Sequence, residues 1–114
     1  MTEPRTNKLS ELKERLPFTV VCGDGDREFC GVYAGDFLSR AMSRVNPDDL
    51  WITIMNNVNV IAVATLTDAA AVLLAEDVEL MPDALFAARE KGVAVLSTPL
   101  SVFEACVALG EIGK

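Results

Sequence analysis

The sequence contains no histidine among its 114 residues and only three cysteines. Histidine is the side chain that most often serves as a general base and as a metal ligand. This chain therefore lacks the residue type that is commonest in both kinds of site. Its absence also excludes the Ser/His and Cys/His pairs of nucleophilic catalysis. Cys22, Cys30 and Cys106 are odd in number and widely spaced, which excludes a zinc knuckle and a paired disulfide framework. We expect free, mostly buried thiols in a cytoplasmic protein.

Positive charge is also scarce in this chain. Ten lysines and arginines stand against 17 aspartates and glutamates, which gives a net charge of −7. Because nucleic acids and anionic membranes are bound by clustered basic side chains, neither is an expected partner. Residues 1–8 include no apolar stretch of the kind that a signal peptide needs. The longest apolar run, residues 58–75, is interrupted by Asp68 and predicts a buried helix followed by a strand, not a membrane span.

The seven glycines form no phosphate-binding motif. None begins the run G-x-x-x-x-G-K-[ST], whose amides and lysine hold phosphates. Gly23 and Gly25 start a G-x-G-x-x-G pattern, but Glu28 occupies the third glycine position. Together with the missing histidine, this predicts a protein that is not an enzyme. We expect no catalytic residue, no cofactor and no bound metal.

Strand and helix patterns alternate along the chain. Runs of β-branched and apolar residues predict strands over residues 18–22, 30–34, 50–54, 70–75 and 93–98. Helical spacing of apolar residues predicts helices over residues 6–16, 37–45, 60–67, 82–91 and from 101 onward. Asp36 stands where an N-cap is expected, Gly92 follows the fourth helix, and Ser101 with Glu104 has the form of a capping box.

This order of elements predicts an α/β fold. Strands that alternate with helices form a mainly parallel central sheet between helical layers, a three-layer α/β/α arrangement. The length suits a single domain over residues 1–114, with residues 1–5 outside its ordered part. Trp51 and Phe103 lie in apolar surroundings and are expected in the core. The apolar fraction of 51% leaves apolar surface for a partner, and we expect a homodimer.

The segment of residues 26–36 is the strongest candidate for a binding site. Gly31 and Gly35 allow a ligand to approach the backbone, and Arg27 offers a planar fork of donors for phosphate or carboxylate. The alternative is structural: the glycines serve tight turns, and Arg27 pairs with a carboxylate of its own loop, Asp24, Asp26 or Glu28. The predicted ligand-binding residues of this segment are Asp26, Arg27, Gly31, Tyr33, Gly35 and Asp36.

Three asparagines supply a second candidate. Asn56, Asn57 and Asn59 follow a predicted strand and precede a predicted helix. Ligands of parallel sheets bind at the carboxyl ends of the strands, where these amides could contact a base or a ribose. Asparagine is equally suited to loops and helix caps, so a structural role is the open alternative. Ser97, Thr98 and Ser101 occupy the analogous position at the end of the last predicted strand, where the capping box already gives Ser101 a structural role.

Residues 26–31, with the sequence DREFCG, resemble the signature of the DRTGG domain family in a diverged form. Cys30 stands where threonine is usual and Val32 where the second glycine is usual. The resemblance continues through residues 32–39 (VYAGDFLS), 49–53 (DLWIT), 59–64 (NVIAVA) and 92–98 (GVAVLST). It therefore covers nearly the whole chain.

The resemblance implies an α/β/α fold similar to that of the N-terminal domain of HPr kinase. Similar domains accompany phosphotransacetylase, or CBS domains in regulated pyrophosphatases, where adenine nucleotides are the implied ligands. Stand-alone members are similar to proteins encoded near iron–sulfur and hydrogenase genes. We therefore expect a non-catalytic regulatory module that binds adenine nucleotide at residues 26–36 and 56–59. The alternative is a subunit that docks on an enzyme of a redox system and binds no small molecule.

Overall fold

The computed structural model describes residue 8, residue 11 and the continuous stretch 16–110. The helix predicted over residues 6–16 lies almost wholly outside the described residues, and so does the tail predicted over residues 1–5. The described part contains five strands and four helices in the expected alternation. The strands are β1 (Thr19–Cys22), β2 (Val32–Ala34), β3 (Leu50–Thr53), β4 (Ala71–Leu74) and β5 (Val95–Ser97); the helices are α1 (Leu38–Arg44), α2 (Val58–Thr67), α3 (Pro82–Lys91) and α4 (Val102–Gly110).

The five strands form one sheet in the order β1-β5-β4-β3-β2. Neighbouring strands from β2 to β5 are parallel, with Tyr33 beside Trp51 and Trp51 beside Val72. Only β1 is antiparallel: it pairs with β5 through an irregular register between Val20 and Cys22. The predicted mainly parallel α/β sheet is therefore confirmed.

The helices lie in two layers. Because β2 to β5 are adjacent in chain order, right-handed crossovers place the three connecting helices on one face of the sheet. There α1 packs on α2 and α2 on α3, while α4 packs near β2 and β3 with a separate core cluster. Every residue of β3 and β4 is buried, as expected for parallel strands covered on both faces. Among the described residues, no helix is long and apolar enough to cross a membrane.

Two of the sequence expectations about burial differ in outcome. Trp51 is fully buried in the core, as predicted. Phe103 is 75% exposed, so its predicted place in the core is wrong. Its helix buries Ala105 and Leu109 instead, and these positions face away from Phe103. The thiols also differ: Cys22 is buried, Cys106 is half-buried and Cys30 is exposed.

Local signals at the helix ends behave largely as predicted. α3 ends at Gly92, which has φ +70°. Before α4, the backbone N–H of Glu104 donates to Ser101 Oγ at 3.1 Å and the backbone N–H of Ser101 donates to Glu104 Oε1 at 3.0 Å. This reciprocal pair is the predicted capping box. α2 begins two residues before its predicted start because Asn57 caps it.

Hydrogen bonding of Glu104 gives a pH-dependent prediction. The backbone N–H and then the hydroxyl of Ser101 lower the pKa of Glu104. A carboxylate whose pKa is lower in the folded state stabilises the fold above its unfolded pKa, and that contribution is lost as the pH falls through the folded value. Urea unfolding should therefore show a stability difference between the wild type and Glu104→Gln at neutral pH that shrinks below about pH 4. Glu90→Gln is the control, because Glu90 is an exposed glutamate. If the stability difference between Glu90→Gln and the wild type showed the same pH dependence, the assignment to Glu104 would be contradicted.

Gly23 gives a second prediction, on backbone conformation. It has φ +81°, and a Cβ at this position would lie 2.6 Å from Ala94 Cα. We expect Gly23→Ala to lower the free energy of unfolding by about 2 kcal/mol or more, since left-handed strain and overpacking add. Gly110→Ala is the control, because a Cβ at Gly110 meets no atom of the described residues within 4 Å. Equal stability of the two variants in denaturant titrations would refute the packing argument.

Candidate functional site

The parallel strands give the sheet two chemically different edges. The carboxyl edge, as defined here, comprises the residues that follow β2 to β5: 35–37, 54–57, 75–81 and 98–101. The amino edge comprises the residues that precede them: 26–31, 46–49, 68–70 and 92–94. Strands of three or four residues separate the two edges by about 10–13 Å. Ligand sites of parallel sheets lie at the carboxyl edge.

The predicted site residues are divided between these edges. Gly35, Asp36, Asn56 and Asn57 lie at the carboxyl edge, and Asn59 lies in the first turn of α2 beside it. Asp26, Arg27 and Gly31 lie at the amino edge, and Tyr33 lies within β2 between them. The structure thus brings the asparagines together with Gly35 and Asp36 but separates them from Arg27.

Arg27 connects three loops of the amino edge. Its Nη2 contacts Asp48 Oδ1 at 2.7 Å and Asp68 Oδ1 at 3.3 Å. Nη1 donates to the carbonyl oxygen of Ala69 at 3.3 Å, and Nη2 also donates to that of Asp68 at 3.4 Å. The hydrogen bond to Asp48 is the main cause that raises the pKa of Arg27. Its partners precede β3 and β4, far along the chain from its own loop.

Gly31 has a steric role at the same edge. A Cβ at Gly31 would lie 2.6 Å from Asp49 Oδ1. Asp49 is only 7% exposed, so its carboxylate lies inside the protein. Its Oδ2 accepts from the backbone N–H of Asn46 at 2.8 Å and closes the turn before β3. Glycine at position 31 therefore makes room for this buried carboxylate.

Gly35 and Tyr33 lie next to the buried Trp51. The indole N–H of Trp51 donates to the carbonyl oxygen of Gly35 at 3.0 Å. A Cβ at Gly35 would lie 3.1 Å from the ring and the hydroxyl of Tyr33. The backbone N–H of Gly35 donates to Ile52 O at 3.1 Å and extends the pairing of β2 with β3. These contacts hold the start of the carboxyl edge in place.

Asp36 does not cap α1, which corrects the prediction from sequence. The N-cap is Phe37, which makes no side-chain cap hydrogen bond. Asp36 Oδ1 instead accepts from Thr53 Oγ1 at 2.7 Å and from the backbone N–H of Ile54 at 3.0 Å. The end of the neighbouring strand offers these two donors side by side, and the carboxylate binds them in place of the helix. Both bonds end on Oδ1, which leaves Oδ2 to accept from a ligand.

The three asparagines have different surroundings. Asn57 caps α2, since its Oδ1 accepts from the backbone N–H of Asn59 at 3.0 Å. Asn56 Nδ2 donates to the carbonyl oxygen of Glu79 at 2.6 Å and ties the strand end to the loop before α3. Asn59 is exposed and lines a groove of about 490 Å³ between α1 and α2. The amide nitrogen of Asn57 donates to no other described residue.

Sequence reasoning missed the acidic turn that follows β4. Glu76 and Asp77 have φ +59° and +56°, and the backbone N–H of Val78 donates to Ala75 O at 3.2 Å. These are the features of a type I′ turn, which normally contains glycine or asparagine. Asp77 is the one residue of this turn that favours it, and Glu76 does not, so the signal in the sequence is weak. With Asp36, these side chains make the carboxyl edge acidic.

Metal and thiol chemistry receive no support from the described part of the chain. Among residues 16–110, no three carboxylate or thiol side chains converge where they could hold a metal ion. Burial raises the pKa of the Cys22 and Cys106 thiols. Thiols with a raised pKa react slowly as nucleophiles.

Fold and edge geometry define a small α/β/α domain with a polar carboxyl edge. The sequence matches the family model of the DRTGG domain over residues 11–112, so this chain belongs to the DRTGG domain family. The resemblance carried by residues 26–39 is thereby confirmed. Curated proteins gave no significant match.

A solved structure shares the fold. It contains the CBS and DRTGG domains of the regulatory region of Clostridium perfringens pyrophosphatase, complexed with its activator diadenosine tetraphosphate. The two structures superpose with a TM-score of 0.70 at 14% sequence identity. The match covers 93% of this chain and 46% of the other, so the chain spans less than half of that regulatory region.

The contacts of Arg27 predict a structural effect of its removal. Half-exposed ion pairs contribute at most about 1 kcal/mol each, and the carbonyl contacts add a similar amount, so Arg27→Ala should cost about 1–2 kcal/mol. The cost should decrease at high salt, which screens exposed pairs. Arg40→Ala is the control, because Arg40 forms no ion pair with a described residue. Urea titrations at two salt concentrations measure both; equal stability of the variants would contradict the prediction.

Proposed function

We propose that this protein is a non-catalytic regulatory module that binds adenine nucleotide at its carboxyl edge. The observation that carries the proposal is the hydrogen bonding of the Asp36 carboxylate. Its Oδ1 accepts from Thr53 and Ile54, and its Oδ2 remains to accept a hydrogen bond from a ligand. A carboxylate held in this way is suited to the hydroxyls of a ribose. Membership of the DRTGG family and the fold shared with a nucleotide-regulated protein support the same function.

The asparagines supply the second part of the proposed site. An amide can donate to and accept from the edge of adenine. Asn57 has its oxygen engaged by the cap of α2 and its nitrogen available as a donor. Asn56 and Asn59 are the neighbouring amides of the same strand end and helix start. We leave Asp26, Arg27 and Gly31 outside the proposed site, because they lie at the amino edge and Arg27 is already bound to two carboxylates.

The charge of this edge decides which part of a nucleotide is recognised. Residues 35–37, 54–57, 75–81 and 98–101 include no lysine or arginine. Asp36, Glu76 and Asp77 are acidic and would repel uncompensated phosphate. The proposed site therefore recognises the nucleoside, with the phosphates directed to solvent.

Ligand-dependent thermal unfolding tests this proposal. A panel of adenosine, AMP, ADP, ATP and diadenosine tetraphosphate is compared with guanosine and GMP. A ligand present at 100 times its Kd adds about 2.7 kcal/mol, which raises the Tm of a domain of this size by about 10 °C. We expect selective stabilisation by the adenine compounds, with ATP weaker than AMP in the absence of Mg²⁺. Absence of a shift with every compound would refute the proposal and favour the docking subunit.

Three substitutions locate the site. Asp36→Asn keeps an oxygen for Thr53 and Ile54 but removes the charge, and it should weaken adenosine binding about tenfold or more because a charge-assisted hydrogen bond is lost. Asp24→Asn makes the same chemical change in the loop that follows β1, outside the proposed site, and should leave binding unaltered. Asn57→Asp retains an N-cap acceptor while removing the amide donor. Titration calorimetry measures all three; unaltered affinity in Asp36→Asn would exclude this location.

A further inference from the structure

Helix α2 presents an uncharged face to the surface of the protein. None of its ten residues carries a charge. Its outward positions are Val58, Asn59, Ala62, Thr65 and Leu66, of which Leu66 is 72% exposed. A helix at the surface of a globular domain normally turns charged and polar side chains outward. Three of the five outward side chains of α2 are apolar and none is charged, which is an unusual composition for a solvated face.

Two grooves flank this face. One, of about 490 Å³, lies between α1 and α2 and is lined by residues that include Met42. The other, of about 370 Å³, lies between α2 and α3 and is lined by residues that include Leu66, Ala87 and Lys91. Ala62 lines both grooves, so a small side chain separates them. A small side chain between two grooves lets a second helical layer pack closely at this point.

Two of the four charged side chains of α3, Asp83 and Lys91, have opposite signs and lie at the two ends of the helix. Asp83, Ala87 and Lys91 are spaced by four residues and lie on one side of the helix. Since Ala87 and Lys91 line the second groove, this side faces α2. Asp83 lies in the first turn, near the carboxyl edge, and Lys91 in the last turn, near the amino edge. The two charges are about 12 Å apart along the helix axis.

We propose that the α2–α3 surface binds the same surface of a second copy, with the helices antiparallel across a two-fold axis. An axis that passes near Ala62 and Ala87 places Leu66 of one copy over Val58 of the other. The same operation places Lys91 of each copy opposite Asp83 of the other. The interface is then isologous and each charge meets its opposite twice. A parallel arrangement with α3 on α3 would instead oppose Lys91 to Lys91, whereas the antiparallel one opposes each lysine to an aspartate.

Mass measurement of the purified protein at micromolar concentration tests the proposal. Light scattering should give twice the chain mass of 12.3 kDa for the wild type. Leu66→Asp should give a folded monomer, because Leu66 is exposed in the single chain and a charge there would be buried by the second copy. A monomeric wild type overturns the proposal. So does a Leu66→Asp variant that remains dimeric.

Charge exchange tests the orientation. Lys91→Glu and Asp83→Lys should each lose the dimer, because each places like charges opposite one another. Mixing the two variants should restore association, since both charge pairs of the mixed dimer are then opposite in sign. Folded variants that fail to associate on mixing overturn the antiparallel arrangement, with circular dichroism as the measure of folding.

Matched controls make the same charge changes elsewhere. Arg40→Glu alters α1 on the side away from the groove-lining residues, and Glu28→Lys alters the exposed amino edge. Both controls should remain dimeric. Loss of the dimer in both would assign the effect to net charge and overturn the proposed surface.

Discussion

The burial of β3 and β4 on both faces is the constraint on which the rest of this structure depends. All eight of their residues are buried, so neither strand can have a solvated side. A layer of helices is therefore required on each face of the sheet. The short crossovers between adjacent parallel strands put α1, α2 and α3 together in one of these layers. The opposite face is left to α4, Leu16 and Phe18. The same parallel arrangement collects all four carboxyl ends at one edge, which is why a polar site can form there.

Left-handed backbone conformations mark the two edges of the sheet. Among the described residues, the non-glycine positions with positive φ are Asp48, Asp68, Glu76 and Asp77, and all four are acidic. Aspartate tolerates this region better than most residues, whereas glutamate does so less readily. At the amino edge, Arg27 bonds to Asp48 and Asp68 and so offsets the cost of their conformation. At the carboxyl edge, the backbone N–H groups of Glu76 and Asp77 donate to Leu100 O and Thr98 O, and their side chains stay exposed.

Patterns that depend on neighbours in the sequence predicted the structure well, and contacts between distant segments were not predictable. The capping box at Ser101 and the end of α3 at Gly92 each depend on a few adjacent residues, and both were predicted. Asp36 has the residue type and position of an N-cap, but the end of β3 offers its carboxylate two donors that the sequence order does not reveal. Phe103 belongs to an apolar segment, yet its direction on α4 depends on which side of that helix meets the sheet. The division of the candidate site between two edges follows from topology and could not be seen in the spacing of its residues.

The segment that carries the family resemblance has a structural explanation in this chain. Arg27 and Gly31 act on the turns that precede β3 and β4, through ion pairs and through space for Asp49. The two departures from the family signature agree with that role. Cys30 contributes its backbone N–H to Asp48 O at 2.9 Å while its side chain is exposed, and Val32 contributes its backbone to the pairing of β2 with β3. Replacing threonine and glycine at these two positions changes side chains at the surface and preserves the backbone contacts of the amino edge. If nucleotide binds at the proposed carboxyl-edge site, loss of the signature residues at the opposite edge should have little effect on that binding.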